Sequence, residues 1–431
     1  MSSLLSRRLL VAVVFQVILF LSLFATSRAQ SISPGDDTTN TMASFDREME
    51  RFMQARTIAG GALAVVKDRR LVYARGYGSA DRENQAPVSP DSCFRIASLS
   101  KPITAVAILK LIEEGRLSLD SRAFDLLQIL TSATTETKRD PRLRNITIQH
   151  LLNHTGGWNS KKTFDPMFRS KKIAESLHVS CPPGPKDIIH YMLTQPLDFD
   201  PGTSYTYSNC GYCVLGRVIE KLTSQSYEDY VKQHVLSPIG ITRMRIGASL
   251  KNKRAEGEVC YYTANGRMRP SVFPKEANKV PEPYGSFCLE AMDAHGGWLA
   301  SVVDLARFAA SLDNPQHSPL LKPEIFTIMY MRPPAPVWRN RNGSPTDHYY
   351  ACGWLVRPVG KEGKANYWHT GSLPGSYALL VRRWDGLSWA VLFNRRSEDP
   401  QLPNEAIDEA LHRAANAVSH WPSEDLFNKY K

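Results

Sequence analysis

Residues 94–120 read FRIASLSKPITAVAILKLIEEGRLSLD, an apolar stretch that predicts a buried helix with an unusual beginning. Proline lacks a backbone N–H and is tolerated only in the first turn of a helix, so Pro102 places the helix start at about Ser98 to Lys101. Ser98 then lies at the positive end of the helix dipole, and Lys101, three residues later, projects from the same face. We expect this helix to end near Gly115.

A serine and a lysine one helical turn apart can carry out nucleophilic chemistry. A serine hydroxyl is a poor nucleophile until a base takes its proton, and a lysine can be that base only if burial keeps it neutral part of the time. Backbone N–H groups at the helix start can also bind an oxyanion. The alternative is an ordinary helix cap beside a surface lysine. Two facts favour catalysis: this is the only S-x-x-K in the chain, and it opens a segment too apolar to face water.

A second motif, Tyr207-Ser208-Asn209, precedes an apolar helix in FDPGTSYTYSNCGYCVLGRVIE, residues 199–220. A buried phenol near a lysine can be pushed toward phenolate and relay protons, and a fixed Asn amide can hold a substrate carbonyl. The alternative is a tyrosine packed at the helix start with Asn209 as the helix cap.

A third motif, His369-Thr370-Gly371, lies in YWHTGSLPGSY, residues 367–377, on a predicted strand at a sheet edge. Gly371 lets a substrate backbone approach, whereas Thr370 and His369 offer donors to a carboxylate or carbonyl. The N–H of Ser372 can complete an oxyanion pair with the N–H of Ser98. By itself, a His-Thr-Gly turn carries little information.

Together and in this order, the three motifs resemble the S-x-x-K, Y-x-N and H/K-T-G motifs of the serine β-lactamase and penicillin-binding-protein superfamily. Y-S-N with H-T-G is most similar to the class C β-lactamase-related branch, which also holds D-alanyl-D-alanine carboxypeptidases, D-aminopeptidases and esterases. Two further segments, LLNHTGGW at 151–158 and GGWLASVVDLARF at 296–308, are similar to recurrent segments of that branch. The resemblance covers roughly residues 45–415.

The resemblance implies a role for each matching residue. Ser98 is expected to be acylated, with Lys101 and Tyr207 sharing general acid and base duty. Because the two titrations would be coupled, the base is not assigned to one of them. Asn209 is expected to position the substrate amide, and the backbones of Ser98 and Ser372 to form the oxyanion hole.

The sequence departs from the family at the third motif, where His369 stands in the place of the lysine that class C β-lactamases usually have. The fixed positive charge that suits a β-lactam carboxylate is then absent at neutral pH unless His369 is protonated. The chain also lacks the S-D-N motif and the deacylating Glu arrangement of class A, so attack by water must rely on Tyr207 or Lys101.

Strand-like segments occur near both ends of the chain. Residues 60–78, GGALAVVKDRRLVYARGYG, predict a β-hairpin that turns at Asp68 to Arg70, and four short aromatic and β-branched segments lie within residues 350–396. Terminal helices are expected from Phe45 to Arg56 and from about Pro403 to Val418, with further helices between. This order predicts an α+β fold of the β-lactamase/transpeptidase type: an antiparallel sheet built from N- and C-terminal segments, flanked by helices, with a mainly helical second lobe.

The expected domain organisation is a single catalytic domain over residues 44–420. Its sheet lobe is expected at about 44–120 and 350–420, and its helical lobe at about 121–349. Residues 245–292 mix Gly, Pro and charge with little periodicity, so we expect loops there.

The N-terminus is typical of an export signal. Residues 1–29 combine a positively charged start, an apolar run and the small residues Ser27 and Ala29 around a cleavage point. Residues 30–43 are polar and expected to be flexible. We therefore expect a secreted or periplasmic protein. The alternative is an N-terminal membrane anchor, since the apolar run approaches bilayer-spanning length.

Composition and charge exclude several classes. A hydrophobic share of 42% and a charged share of 22% are ordinary for a folded protein with a large core. The net charge of +11 is spread out, without interleaved aromatics or a nucleic-acid motif, so no nucleic-acid partner is expected. Seven scattered cysteines do not make a disulfide scaffold, and the odd number leaves at least one unpaired within the chain.

The expected function is that of an exported serine hydrolase acting through an acyl-enzyme on amide or ester bonds, with D-amino-acid peptides or β-lactam-like compounds as substrates. The alternatives are a promiscuous carboxylesterase and a slow or non-catalytic penicillin-binding or scaffolding protein. We expect no cofactor and no metal, because His150 and His154 lack the glutamate of an H-E-x-x-H site. We expect His295 to be packed or to cap a turn. Proximity to a cell wall or membrane surface is expected, and the oligomeric state is left open.

Overall fold

The computed structural model describes residues 42–130, 139–360 and 363–430, so the expected export signal and nearly all of the expected flexible segment lie outside it. The strands, in chain order, are β1 (Gly60–Lys67), β2 (Arg70–Asp81), β3 (Ala86–Pro87), β4 (Phe94–Arg95), β5 (Arg245–Ile246), β6 (Met268–Pro270), β7 (Lys279–Pro281), β8 (Trp298–Ala300), β9 (Tyr349–Ala351), β10 (Trp354–Val359), β11 (Lys364–Leu373), β12 (Ser376–Arg382) and β13 (Leu387–Phe393).

The α-helices lie mainly between these two groups of strands and at the two ends. In chain order they are α1 (Ala43–Ala55), α2 (Ser100–Glu113), α3 (Ala123–Leu127), α4 (Ile148–Leu152), α5 (Ser170–Leu177), α6 (Pro185–Met192), α7 (Asn209–Thr223), α8 (Tyr227–Val231), α9 (Asp293–Gly296), α10 (Val302–Ser311), α11 (Pro323–Met329) and α12 (Ala406–Asn416). Short 3₁₀ helices at Ala97–Leu99 and Pro166–Phe168 precede α2 and α5.

The main sheet is antiparallel and contains strands from both ends of the chain. Its order is β3-β2-β1-β13-β12-β11-β10-β9, and β1 joins the C-terminal strands by pairing with β13, where Gly61 lies opposite Phe393. Two smaller sheets have the orders β4-β8-β5 and β6-β7. The expected α+β class is confirmed.

The N-terminal hairpin turns as its sequence predicts. Asp68 and Arg69, between β1 and β2, have φ values of 50° and 67°. Two consecutive residues with positive φ are typical of the type I′ turn, whose twist matches that of hairpin strands. The Asp68 N–H also donates to the Gly386 carbonyl at 2.8 Å, which joins this turn to the turn between β12 and β13.

Both faces of the main sheet are covered. Leu63 and Val65 of β1 pack with Phe45 of α1 on one face, whereas Ala62 and Ala64 belong to the large core on the other face. Successive strand residues point to opposite faces, so a strand buried on both sides is apolar throughout. This explains why β1 does not alternate between apolar and polar residues.

Helix α2 runs through the large core, which accounts for its lack of a polar face. Every residue from Ser100 to Leu109 is buried. A helix that is apolar all round is stable only when other elements surround it. The start predicted from Pro102 is confirmed, and the helix ends at Glu113, two residues before Gly115.

The segment at residues 245–292 is mostly irregular, as expected, but it includes the hairpin β6–β7, where Met268 lies opposite Pro281. The prediction missed this pair because its three-residue strands are too short to show an alternating pattern. Across the three described ranges, no helix has the length and apolar character needed to cross a membrane.

All seven cysteines are free. Cys210 and Cys213 lie buried in α7, where they pack as small apolar side chains. The core of the described residues is therefore held together by packing and hydrogen bonds rather than by disulfides.

Candidate active site

Ser98 and Lys101 lie side by side at the start of α2. The Lys101 Nζ is 3.1 Å from the Ser98 Oγ, 2.8 Å from the Asn209 Oδ1 and 2.9 Å from the His295 main-chain oxygen. Lys101 has 0% exposure, whereas Ser98 is partly exposed. A substrate can therefore reach the hydroxyl, and the amine behind it is shielded from water.

Burial lowers the pKa of Lys101 well below its usual value, and the charge of Asp165 opposes that effect only in part. The contacts of the amine agree with a neutral form. Asn209 Oδ1 and the His295 carbonyl can only accept, so they use two N–H groups. In a neutral amine the lone pair then points toward Ser98, whose O–H can donate to it. This is the geometry that a general base requires.

The turn before the serine has a strained backbone. Ala97 has a φ of 47°, in the left-handed region, which costs a non-glycine residue on the order of 1–2 kcal/mol. Ser100 holds the turn, because its Oγ donates to the Ala97 carbonyl at 2.7 Å and accepts from the Trp298 N–H at 3.4 Å. Ser100 is fully buried, so of the two serines next to Lys101 only Ser98 is accessible.

Tyr207 lies against the same lysine, with the Lys101 Nζ 4.6 Å from the centre of its ring. Its hydroxyl is buried, and within the described residues no partner lies at a distance and angle suitable for a hydrogen bond. Burial raises the pKa of Tyr207 well above its usual value and outweighs the lowering by the nearby Ser98 hydroxyl. The expected shift toward phenolate is therefore wrong, because desolvation of the phenol prevails. The Tyr207 hydroxyl is therefore protonated at neutral pH.

Asn209 is held in one orientation by a residue that the motifs did not reveal. Its Nδ2 donates to the Asp165 Oδ2 at 2.6 Å, while the Asp165 Oδ1 accepts from the Met167 N–H at 3.1 Å. The amide oxygen of Asn209 is thereby directed to Lys101. The alternative, in which Asn209 caps the helix, is wrong, because Ser208 caps α7 by accepting from the Gly211 N–H. The only sequence signal for Asp165 was an Asp-Pro pair.

His154, from the LLNHTGGW segment, supports the second motif from behind. Its Nδ1 accepts from the Ser208 N–H at 3.2 Å, and its ring centre lies 4.3 Å from that of Tyr207. The neighbouring Asn153 accepts from the Cys352 N–H at 3.1 Å, next to β10. The segment therefore joins the tyrosine motif to the sheet. His295 is packed, as expected, and contacts Lys101 through its carbonyl.

The third motif runs alongside the turn that carries Ser98. A Cβ on Gly371 would lie 2.1 Å from the Ile96 carbonyl oxygen and 3.2 Å from the Ser98 nitrogen, so glycine is required here. Strands β10 and β11 are paired only as far as Leu355 opposite Trp368, so residues 369–373 of β11 extend beyond β10. The Thr370 side chain is partly exposed and has no hydrogen bond within the described residues.

His369 is bound to the protein through both of its ring nitrogens. Its Nδ1 lies 2.6 Å from the Thr370 carbonyl oxygen, which can only accept, so Nδ1 carries the proton and Nε2 accepts from the Tyr350 hydroxyl at 3.1 Å. Burial, followed by the charge of Lys101, lowers the pKa of His369 to about 3. In this arrangement the ring is neutral and has no N–H group free to donate to a substrate. His369 had been expected to offer such a donor.

A cation that the motifs did not include lies next to this strand. The Nη1 of Arg396, three residues beyond β13, donates to the Ser372 Oγ at 3.0 Å. Within the described residues Arg396 forms no ion pair, and burial lowers its pKa. Arg396 thus brings a positive charge beside the expected oxyanion residue, where His369 supplies none.

The fold and the converging motifs define a protein of the serine β-lactamase and penicillin-binding-protein superfamily. The chain belongs to the Beta-lactamase family, whose sequence profile matches residues 45–412. This assignment places it among the hydrolases of that superfamily.

Individual relatives agree with the assignment. A penicillin-binding protein of Bacillus subtilis (strain 168) is 26% identical over 357 residues, which cover 82% of this chain and 71% of the relative. The solved structure of an octameric penicillin-binding protein homologue from Pyrococcus abyssi is similar with a TM-score of 0.62 at 25% identity, over 87% of this chain and 77% of that one. D-amino acid amidase from Ochrobactrum anthropi SV3 shares the fold, with a TM-score of 0.66 at 20% identity, over 89% and 99% of the two chains.

Proposed function

We propose that the protein is a serine hydrolase that forms an acyl-enzyme at Ser98 on amide or ester substrates. The observation that carries this proposal is the pair formed by a partly exposed Ser98 and a fully buried Lys101, 3.1 Å apart. Burial favours the neutral amine, and a neutral amine can take the hydroxyl proton as the serine attacks a carbonyl.

The remaining motif residues complete the proposed reaction. The N–H groups of Ser98 and Ser372 would hold the oxyanion of the tetrahedral intermediate. Protonated Tyr207 would donate to the leaving group and regain its proton from Lys101. Asn209 would hold the substrate amide. In the second half of the cycle, the same groups would take a proton from water as its oxygen attacks the acyl carbonyl, and would give that proton to the Ser98 Oγ as the bond between the acyl carbon and Oγ breaks.

For the substrate, we propose D-amino-acid amides, esters and peptides ahead of β-lactam antibiotics. The neutral state of His369 supports this order, because the third motif then supplies no cation of its own for a β-lactam carboxylate, and the Arg396 charge lies outside that motif, against the Ser372 hydroxyl. The same observation favours the second candidate, a promiscuous carboxylesterase, since a simple ester needs no cationic partner.

We also propose that the protein is exported, to a secreted or periplasmic location. This part rests on the charged and apolar pattern of residues 1–29 alone. N-terminal sequencing of protein recovered outside the cytoplasm tests it. A mature N-terminus near Gln30 would support export, and an intact Met1 in the cytoplasm would refute it.

A substrate panel tests the catalytic proposal. Purified protein and its Ser98→Ala variant are compared on a p-nitrophenyl ester, a D-amino-acid amide, a D-Ala-D-Ala peptide and a chromogenic cephalosporin. We expect turnover of the ester and at least one D-configured substrate by the native protein only. Turnover of the ester alone would select the carboxylesterase. Equal turnover by the variant, or none by the native protein, would refute the proposal.

A further inference from the structure

An open cleft of about 400 Å³ lies between the start of α5 and the β6–β7 hairpin. Its lining includes Phe168, Arg169, Lys171 and Lys172 on one side and Arg269 and Glu282 on the other. Phe168 is 48% exposed, and its ring centre lies 5.9 Å from that of Phe287. The cleft therefore combines one exposed aromatic ring with several cations.

Both walls of the cleft include residues close in the chain to the proposed site. On one wall, Phe168 is three residues from Asp165, which holds Asn209 at 2.6 Å. Three residues separate their Cα atoms by at most ~11 Å. On the other wall, Pro374 lines the cleft and is two residues from Ser372. Each wall therefore begins beside a segment that carries part of the proposed site.

The charge in the cleft is positive and largely uncompensated. Glu282 is paired with Arg269 at 3.1 Å and with Arg267 at 3.5 Å, so its charge is already balanced. Arg169, Lys171 and Lys172 are exposed, and within the described ranges none of them forms an ion pair. Arg169, Lys171 and Lys172 lie within four consecutive positions, on the wall of the cleft that carries Phe168.

The cleft differs in charge from its neighbour. An adjoining cleft that shares Lys171 is lined by two acids, Glu175 and Glu276, and is therefore not cationic overall. Of these two clefts, the cationic one is the one that Pro374, two residues from Ser372, also lines.

We propose that this cleft is an extended subsite for the acidic portion of a peptide substrate, with carboxylates facing Arg169, Lys171 and Lys172 and the chain passing over Phe168. The proposal rests on the proposed hydrolase function and adds the substrate's charge to it. Peptide is favoured over other polyanions because the walls of the cleft lie close in the chain to Asp165 and Ser372, next to the groups proposed to bind an amide. An extended peptide advances ~3.3 Å per residue, so three acidic residues cover ~10 Å of such a surface.

The test compares matched peptide esters that carry either three Glu or three Gln residues, attached on the acyl side in one pair and on the leaving-group side in another. Product formation is followed by liquid chromatography at low and high salt. In at least one pair we expect the Glu ester to have a kcat/KM about tenfold higher at low salt, with the preference shrinking as salt screens the charges.

A charge-reversed double variant, Lys171→Glu with Lys172→Glu, is expected to abolish the preference. The matched control, Lys161→Glu with Lys253→Glu, changes the net charge equally at two exposed lysines outside the cleft that form no ion pair within the described residues, and is expected to keep the preference. Because all four lysines are exposed, thermal melting should show both variants folded, and the milder Lys→Gln pair at 171 and 172 repeats the test if the first does not fold.

The outcomes separate this inference from the function on which it rests. The subsite would be overturned, and the hydrolase function left intact, if all esters are hydrolysed with nearly equal kcat/KM for the Glu and Gln forms. The same conclusion would follow if the control variant loses the preference for Glu as fully as the cleft variant does. No hydrolysis of any ester would instead refute the proposed function. A third outcome would assign the cleft to a non-peptide polyanion and overturn the peptide proposal. In it, the kcat/KM values of the Glu and Gln esters are nearly equal, and a sulfated polysaccharide inhibits the native protein but not the Lys171→Glu, Lys172→Glu variant.

Discussion

Replacing Lys101 with methionine tests the neutral buried amine, on which the proposed mechanism depends. Methionine has a similar length and no charge, so it keeps the packing while removing the base. General-base catalysis contributes about 10²–10⁴-fold to a rate, so we expect kcat to fall by that factor. Lys110→Met, on the same helix and at a partly exposed position where Nζ donates to the Leu320 carbonyl, controls for loss of a lysine and should keep activity.

Stability of the same variant reports the charge of Lys101 directly. Burial lowers its pKa in the folded protein, so between that pKa and the unfolded value of about 10.4 the unfolded chain binds more protons. The free energy of unfolding of the native protein, relative to Lys101→Met, should therefore rise with pH across this window by up to ~1.4 kcal/mol per pH unit. The penalty for a neutral buried lysine is largest at low pH and disappears as pH approaches 10.4.

Urea unfolding of both proteins at pH 7, 8 and 9 measures this difference. A free-energy gap that changes with pH in the stated direction supports a neutral Lys101. Parallel dependence of the two proteins on pH would show that Lys101 stays charged in the fold, and a loss of activity below tenfold would move the base role to another group.

Other substitutions probe the remaining members of the site. Tyr207→Phe should lower kcat by about 10²-fold or more. It should change the free energy of unfolding by less than about 0.5 kcal/mol, because the buried hydroxyl has no hydrogen-bond partner to lose. A destabilisation above about 2 kcal/mol in a urea titration would show that the hydroxyl does have such a partner. Asp165→Ala should free the Asn209 amide and lower kcat/KM about tenfold, and because the Asp165 charge raises the pKa of Lys101, its loss should lower that pKa further; an unchanged kcat/KM would exclude a positioning role. The pH profile of kcat/KM should show no titration from His369 between pH 5 and 8, since its pKa is about 3; an inflection in that range that His369→Gln removes would contradict the neutral ring.

The sequence predicted the parts of the fold that depend on local rules. Pro102 located the start of α2, and the turn at Asp68 located the first hairpin, because proline geometry and turn twist are set by a few neighbouring residues. The order of strands and helices then indicated a sheet built from both ends.

The parts that were missed depend on contacts between distant segments. Asp165 meets Asn209 across 44 positions, and Arg396 meets Ser372 across 24, and no spacing rule encodes either contact. The protonated state of Tyr207 was mispredicted because the depth of its burial, which opposes the lysine, cannot be read from the motif. Likewise, the ring nitrogens of His369 are engaged by the protein itself, which only the folded arrangement reveals.

Formation of an acyl-enzyme at Ser98 is the central claim, and intact-mass spectrometry tests it most directly. The native protein, Ser98→Ala and Ser100→Ala are each incubated with a reactive ester and with a penicillin, and any adduct is located by peptide mapping. We predict a single adduct with at least one reagent, located at Ser98 in the native protein and in Ser100→Ala, and absent from Ser98→Ala. An adduct that persists in Ser98→Ala, or that maps to another residue, would contradict the account.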